Sequence, residues 1–297
     1  MQQILICSGI DGTLIPNGSA VESPDARRVF SQIAAHRKIC LAYVSGRNKD
    51  QVVQAIKDYD LPEPDFIIGD VGTTIYYATG GRWTANQKWQ EEISRDWRDS
   101  GRREIIELLS SLESKTFFLQ PSKKQGPYKI SYFTSHAVDP LRLRNIIAGI
   151  LGHHGIVTQL VFSRDDSQQR GLLDILPRKA NKLLALRFLM IEERFDSMRT
   201  VFAGDSGNDL DALTSGLPAI LVKNTASDVR QTALYRLDCM GMQDRLYRAK
   251  GGFMGMNGNY AAGVLEGLIH FFPETANWLE CAHNGLIGLQ PTSEGNM

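Results

Sequence analysis

Four polar stretches follow apolar runs that are typical of buried strands. They are "SGIDGTL" (residues 8–14), "AYVSGRN" (42–48), Lys182 after "LDILPRKAN" (173–181), and "FAGDSGNDL" (202–210). Together they offer carboxylates for a divalent cation, a serine and a lysine for phosphate oxygens, and an aspartate for proton transfer. Their order along the chain therefore indicates a site for phosphoryl chemistry.

Each stretch also has an ordinary structural interpretation when it is taken alone. Asp-Gly-Thr after a strand is often a turn, Ser-Gly-Arg often starts a helix, and a single lysine on a helix is usually solvated. The acids Asp205 and Asp209 are harder to explain in this way, because close carboxylates repel one another unless a cation compensates them. This pair favours a metal site, and the recurrence of all four stretches after strands favours a common active site.

The elements that must position these stretches alternate between strand and helix. Apolar runs at residues 3–8, 39–44, 66–69, 200–203 and 219–222 are separated by segments of helical periodicity. This alternation predicts an α/β fold, a doubly wound parallel-sheet (Rossmann-like) core whose active site lies at the carboxyl ends of the strands.

Between Arg82 and Asp174 the pattern changes to alternating β-branched and aromatic residues, as in "YKISYF" (128–133) and "VTQLVFS" (157–163). Such alternation is typical of antiparallel strands with one exposed face. We therefore predict an inserted α/β cap domain at 82–174, a core domain formed by 1–81 and 175–272, and a C-terminal tail at 273–297.

The amino-acid composition limits the classes of partner that the protein is expected to bind. The 297 residues include 33 Lys plus Arg and 33 Asp plus Glu, so the formal net charge is zero and no global field favours nucleic acid or an anionic membrane. Apolar runs stay well below the ~18 residues that span a bilayer, and the N-terminus lacks a signal-peptide pattern. We expect a cytoplasmic protein with a small-molecule partner.

The four stretches resemble the motifs of the haloacid-dehalogenase-like phosphotransferases: DxDGT, a strand-end Ser or Thr, a Lys, and GDxxxD. The resemblance implies that Asp11 is the general acid/base, that Ser45 binds the phosphoryl group, and that Lys182 neutralises phosphate and nucleophile. It also implies an Mg²⁺ ion held by Asp205, Asp209, Asn208 and the backbone carbonyl of Asp11. In this superfamily the phosphoryl group is transferred to the first motif aspartate and then hydrolysed.

Five further sequence segments resemble the sucrose-6-phosphate phosphatase branch and its relatives that act on mannosyl-phosphoglycerate. These segments are "GDVGTTIYY" (69–77), "LQPSKKQGPYKISYF" (119–133), "LDILP" (173–177), "GDSGNDLDAL" (204–213) and "AAGVLEGLIHF" (261–271). The resemblance implies a sugar phosphate as substrate. Its expected binding residues are Gly46 and Arg47 beside Ser45, and Lys129 and Ser131 in the cap.

The sequence departs from the family pattern at Gly9, where the nucleophilic aspartate is expected. Ser8 cannot replace it, because its side chain points to the other face of the strand. Three interpretations remain open: a phosphatase impaired by one substitution, a pseudo-enzyme that binds sucrose phosphate or a sucrose-phosphate synthase, and direct attack by water. We rank the first highest, because the other motif residues are all present, and we keep mannosyl-3-phosphoglycerate as an alternative substrate.

Overall fold

The computed structural model describes residues 3–98, 100–135, 137–165 and 170–279. Its strands are β1 Ile4–Ser8, β2 Ile39–Val44, β3 Phe66–Gly69, β4 Thr74–Thr79, β5 Arg82–Ala85, β6 Phe117–Leu119, β7 Ile130–Thr134, β8 Thr158–Asp165, β9 Arg170–Pro177, β10 Thr200–Gly204, β11 Ala219–Leu221 and β12 Leu246–Arg248. Its helices are α1 Ala26–Ala34, α2 Lys49–Tyr59, α3 Gln87–Ser94, α4 Arg102–Leu109, α5 Pro140–His153, α6 Lys182–Glu192, α7 Leu210–Leu213, α8 Ser227–Met240 and α9 Ala261–Phe271.

The larger sheet has eight strands in the order β12-β11-β10-β1-β2-β3-β4-β5. The first six of these strands run parallel, and β4 and β5 add an antiparallel edge. Strand β1 is buried on both faces, with Ile4 and Ile6 in one apolar cluster and Leu5 and Cys7 in the other. The predicted α/β class with a doubly wound, mainly parallel sheet is therefore confirmed.

A smaller antiparallel sheet has the order β6-β7-β9-β8 and a separate apolar cluster that includes Trp97, Tyr132 and Leu173. The strands predicted in 128–133 and 157–163 are its β7 and β8. Strand β5 belongs to the larger sheet, and Trp89 of α3 packs in the cluster of that sheet. The division into a core domain and an 82–174 cap domain stays a prediction.

Two local features were not part of the sequence prediction. The N-cap residue of α1 is Asp25, and the Ser23 hydroxyl accepts a 3.0 Å hydrogen bond from the Asn257 amide. Strand β12 was not predicted, because only Leu246 of its residues is buried and the apolar pattern is too short.

The segment after α9 packs against the apolar cluster of the larger sheet that contains Ile4 and Ile6. Residues Pro273–Trp278 form a 3-10 turn, and the Trp278 ring stacks on His36 with centroids 3.8 Å apart. Residues 280–297 of the predicted tail lie outside the described residues. Among the described helices, none combines the length and the apolarity that crossing a membrane requires.

Candidate active site

The candidate site lies where β10, β1 and β2 end side by side. Strand β1 pairs with β10 on one side and with β2 on the other, in parallel register. The amide of Gly9 continues the first pairing, donating to the carbonyl of Ala203 at 2.9 Å. The three loops that follow these strands therefore meet at one edge of the sheet, as the sequence predicted.

Gly9 lies against the side chain of Thr13. A Cβ built on Gly9 would be 2.6 Å from the Thr13 hydroxyl oxygen and 3.1 Å from the Thr13 Cβ. The backbone of Gly9 is not in the left-handed region, so its conformation accommodates any residue. A larger residue is therefore opposed by Thr13, whose hydroxyl must rotate away and whose Cβ must shift by a few tenths of an ångström.

Thr13 also holds one of the predicted metal ligands. Its hydroxyl donates to Oδ1 of Asp205 at 2.6 Å. Burial, together with the nearby charge of Asp209, raises the pKa of Asp205 to about 7, while the Thr13 hydrogen bond and Lys182 act in the opposite direction. A cation at this carboxylate would offset the cost of burying its charge.

Lys182 is the first residue of α6, and the side chain of Asn181 caps that helix by accepting from the Leu184 amide at 2.7 Å. The Lys182 ammonium donates at 2.7 Å to Oδ1 of Asn208 and at 2.7 Å to Oδ1 of Asp209. Both members of the Lys182–Asp209 ion pair are buried. The structure thus brings together three of the predicted residues.

The second cluster of site residues follows β1 and β2. The guanidinium of Arg47 binds Asp11 through two hydrogen bonds, Nε to Oδ2 at 2.7 Å and Nη2 to Oδ1 at 2.6 Å. This contact raises the pKa of Arg47. Ser45 is buried, and its hydroxyl accepts from the Arg47 amide at 3.1 Å. Both oxygens of Asp11 are therefore engaged by one cation.

The two residues predicted in the cap differ in their placement. Lys129 reaches the larger sheet, where its ammonium donates to the carbonyl of Gly46 at 3.0 Å. Ser131 is buried within the smaller sheet, and its hydroxyl donates to Asp174 on the neighbouring strand, with the carbonyl oxygen of Lys124 3.3 Å away. Lys129 thus lies beside the Ser45 loop, whereas the Ser131 hydroxyl is already bonded inside its own sheet.

The donor set fits a magnesium ion that keeps water ligands. Among the described residues, no three His, Cys, Asp or Glu side chains form a group that could hold a metal ion. With glycine at position 9, the carboxylates near Lys182 and Thr13 are those of Asp205 and Asp209, joined by the amide of Asn208, whereas the carboxylate of Asp11 is bound to Arg47. Mg²⁺ is commonly held by one or two carboxylates plus waters and substrate phosphate, so the set suffices while lacking one carboxylate of the family pattern.

Three further residues complete the site, and the sequence did not single them out. They are Thr13, Asn224 and Asp70. The Asn224 amide group donates to the carbonyl of Gly12 at 2.7 Å and accepts from the Tyr260 amide at 2.8 Å, which ties the Asp-Gly-Thr loop to the start of α9. Thr13 and Asp70 belong to quoted motifs, "SGIDGTL" and "GDVGTTIYY", whereas nothing in the sequence indicated that Asn224 would reach the site.

Comparison with known proteins identifies the family. Residues 2–272 match the model of the sucrose-6F-phosphate phosphohydrolase family. The chain belongs to this family. The predicted relationship to haloacid-dehalogenase-like phosphatases is thus confirmed, and family membership places the chain among phosphoric monoester hydrolases.

Individual relatives that are similar to the chain are consistent with this family assignment. A putative HAD-like hydrolase of Nitrosococcus oceani is 51% identical over 279 residues, which cover 94% of this chain and 74% of that protein. The mannosylfructose-phosphate phosphatase of Agrobacterium fabrum is 27% identical over 272 residues, covering 90% and 96% of the two chains. The solved sucrose-phosphatase of Synechocystis sp. PCC6803, in complex with sucrose and phosphate, is 25% identical with a TM-score of 0.69, covering 91% of this chain and 98% of that one.

Proposed function

We propose that this chain is a sugar-phosphate phosphatase of the sucrose-6F-phosphate phosphohydrolase family whose turnover is limited by Gly9. The observation that carries the proposal is the meeting of Asp11, Ser45, Lys182, Asp205 and Asp209 around one sheet edge, with glycine at the expected nucleophile position. Sucrose-6-phosphate is the proposed substrate, and sucrose and phosphate are the products.

The proposed binding of the phosphoryl group uses groups that face this edge. The hydroxyl of Ser45 and the ammonium of Lys182 donate to phosphoryl oxygens, as hydroxyl and cationic donors do in phosphate sites. A magnesium ion, held by Asp205, Asp209, Asn208 and the Asp11 carbonyl, would neutralise charge on the phosphoryl oxygens. The protein is proposed to act in the cytoplasm.

Proton transfer to the leaving sugar oxygen is assigned to Asp11. Both of its carboxylate oxygens are bound to Arg47, so one must be released before Asp11 can reach a leaving group. A phosphoryl oxygen offers Arg47 a second acceptor of similar geometry. Arg47 is therefore proposed to move one hydrogen bond from Asp11 to the substrate, which frees a carboxylate oxygen of Asp11 to take up a proton from solvent and then pass it to the leaving sugar oxygen.

Gly9 sets the rate of this proposed reaction. Glycine has no side-chain oxygen that can attack phosphorus, which leaves water as the acceptor of the phosphoryl group, so by analogy with the removal of other nucleophiles turnover falls by about 10⁴-fold. Phosphate release from sucrose-6-phosphate, measured with Mg²⁺ for Gly9→Asp and for the native chain, tests the assignment. Parallel assays with mannosylfructose phosphate and mannosyl-3-phosphoglycerate test the choice of sugar.

A second candidate function is that of a catalytically inactive protein that binds a sugar phosphate or partners a sucrose-phosphate synthase. It is favoured by the close fit of the Thr13 hydroxyl against Gly9, since that arrangement suits glycine better than aspartate. Calorimetry with sucrose-6-phosphate and with a sucrose-phosphate synthase separates the candidates. Micromolar binding without turnover, even after Gly9→Asp, supports the second candidate and rejects the first.

A further inference from the structure

A buried ion pair joins the two sheets beside the candidate site. The ammonium of Lys129, which precedes β7, lies 3.3 Å from Oδ1 of Asp70, which follows β3, and the side chains are 6% and 4% exposed. The same ammonium donates to the carbonyl of Gly46 at 3.0 Å. A single cation of the smaller sheet thus meets both a carboxylate and the Ser45 loop of the larger sheet.

Asp70 is held in a conformation that most residues avoid. Its φ is 51° and that of Val71 is 62°, both in the left-handed region. The turn is bonded to the Ser45 loop, with the Asp70 amide donating to the carbonyl of Arg47 at 2.9 Å and the Val71 amide donating to the carbonyl of Ser45 at 3.0 Å. Any displacement of Asp70 is therefore passed directly to the loop that carries Ser45 and Arg47.

The carboxylate of Asp70 has little other compensation for its burial. Within the part of the chain that the structure describes, Oδ1 makes no contact of hydrogen-bond geometry besides its 3.3 Å ion pair with Lys129, and Oδ2 has a long 3.5 Å contact with the Thr74 hydroxyl. Burial, which Lys129 opposes, raises the pKa of Asp70, and the charge of Asp174 raises it further. A buried carboxylate in this position depends on the lysine, because breaking such a pair leaves an uncompensated charge.

We propose that Asp70 is a positioning residue that holds Lys129 against Gly46 and so docks the smaller sheet over the phosphate-binding loops in one orientation. This docking brings the sugar-recognising sheet over the phosphate, and it therefore favours a sugar phosphate over free phosphate. The inference rests on the proposed function for the identity of the ligand, but the docking of the sheets can be measured without any ligand.

The test uses Asp70→Asn, which removes the charge while keeping a residue that tolerates the left-handed region. Lys129→Gln removes the other partner, and Lys124→Met, which changes an exposed lysine in the same segment, is the control. Hydrogen–deuterium exchange is followed in residues 45–49 and 124–131. Dissociation constants for inorganic phosphate and for sucrose-6-phosphate are measured by calorimetry on the same proteins.

In Asp70→Asn and Lys129→Gln, the backbone amides of residues 45–49 and 124–131 should exchange hydrogen for deuterium faster than in the native chain. In Lys124→Met they should exchange at the native rate. Sucrose-6-phosphate should bind about tenfold more weakly to both variants, with a change of about twofold or less for inorganic phosphate. Unchanged exchange in both variants, or an equal loss for the two ligands, overturns the inference. Failure of the native chain to bind any sugar phosphate, with exchange still increased in both variants, rejects the proposed function and retains the docking role of the pair.

Discussion

The hydroxyl of Thr13 links the glycine at position 9 to the acid at position 205. It donates a 2.6 Å hydrogen bond to Asp205 and lies 2.6 Å from the place where a Cβ on Gly9 would be. An aspartate at position 9 therefore requires the Thr13 side chain to rotate. The hydroxyl that now supports Asp205 and the missing nucleophile compete for the same space.

Thr13→Val should destabilise the protein by about 1–3 kcal/mol, because a nearly buried carboxylate oxygen loses its donor. Thr13→Ser keeps the hydroxyl and is the matched control, with a smaller loss that reflects its missing methyl group. The free energy of unfolding from urea titrations provides the comparison. A valine variant as stable as the native chain would contradict the structural importance of this hydrogen bond.

Asp205 should make stability depend on pH. Its pKa is raised from 3.8 to about 7 in the folded protein, so between these values the folded state holds a proton that the unfolded state has released. The contribution of Asp205 to the free energy of unfolding is fully present below the unfolded-state pKa. It falls by on the order of 4 kcal/mol as the pH rises through the folded-state pKa.

Unfolding titrations from pH 5 to pH 8 check this sign. Asp205→Asn should remove most of the fall in stability, whereas Asp211→Asn, on the exposed side of the next helix, should leave the fall in place. Mg²⁺ should stabilise the native chain most at the upper end of this range, since it binds the ionised carboxylate. A native curve parallel to that of Asp205→Asn would contradict the raised pKa.

Lys182→Met should cost about 3–5 kcal/mol of stability, because it leaves the buried carboxylate of Asp209 without its cation. Lys179 lies three residues before Lys182 and forms an exposed ion pair with Glu92. Lys179→Met removes this pair and should cost about 1 kcal/mol or less. Guanidinium unfolding midpoints distinguish the two. Equal effects would mean that the burial of Lys182 contributes little.

Arg47→Lys should change the affinity for phosphate more than the stability. Its pairing with Asp11 is about one-third exposed on each side, at 30% and 38%, so the stability loss should stay below about 1 kcal/mol. Lysine cannot reproduce the bidentate geometry, and inorganic phosphate should bind about tenfold more weakly. Arg28→Lys, in an exposed pair with Asp25, is the control. A large stability loss with unchanged binding would assign Arg47 a structural role.

Much of the fold could be predicted from the sequence, because buried parallel strands are continuous apolar runs. Strands β2 and β3 have the predicted bounds. The convergence of the Asp11, Ser45 and Asp205 loops followed from the rule that parallel strands present their carboxyl ends at one edge.

The contacts that cross between the sheets could not be predicted. Asp70 and Lys129 are 59 residues apart, and their pairing depends on how the smaller sheet docks, which no local pattern encodes. Asn224 reaches the Gly12 carbonyl over a separation of 212 residues for the same reason. The placement of β5 in the larger sheet depends on its antiparallel pairing with β4, which its short, half-exposed sequence does not specify.

Phosphate release from sucrose-6-phosphate by Gly9→Asp tests the central claim most directly. Gly9→Asn is the matched control, because it fills the same space against Thr13 without a nucleophilic carboxylate. With Mg²⁺, Gly9→Asp should release phosphate about 10⁴-fold faster than Gly9→Asn and the native chain. A folded Gly9→Asp protein that releases no phosphate from the sugar phosphates tested, or a native chain that turns over as fast as Gly9→Asp, would contradict the account.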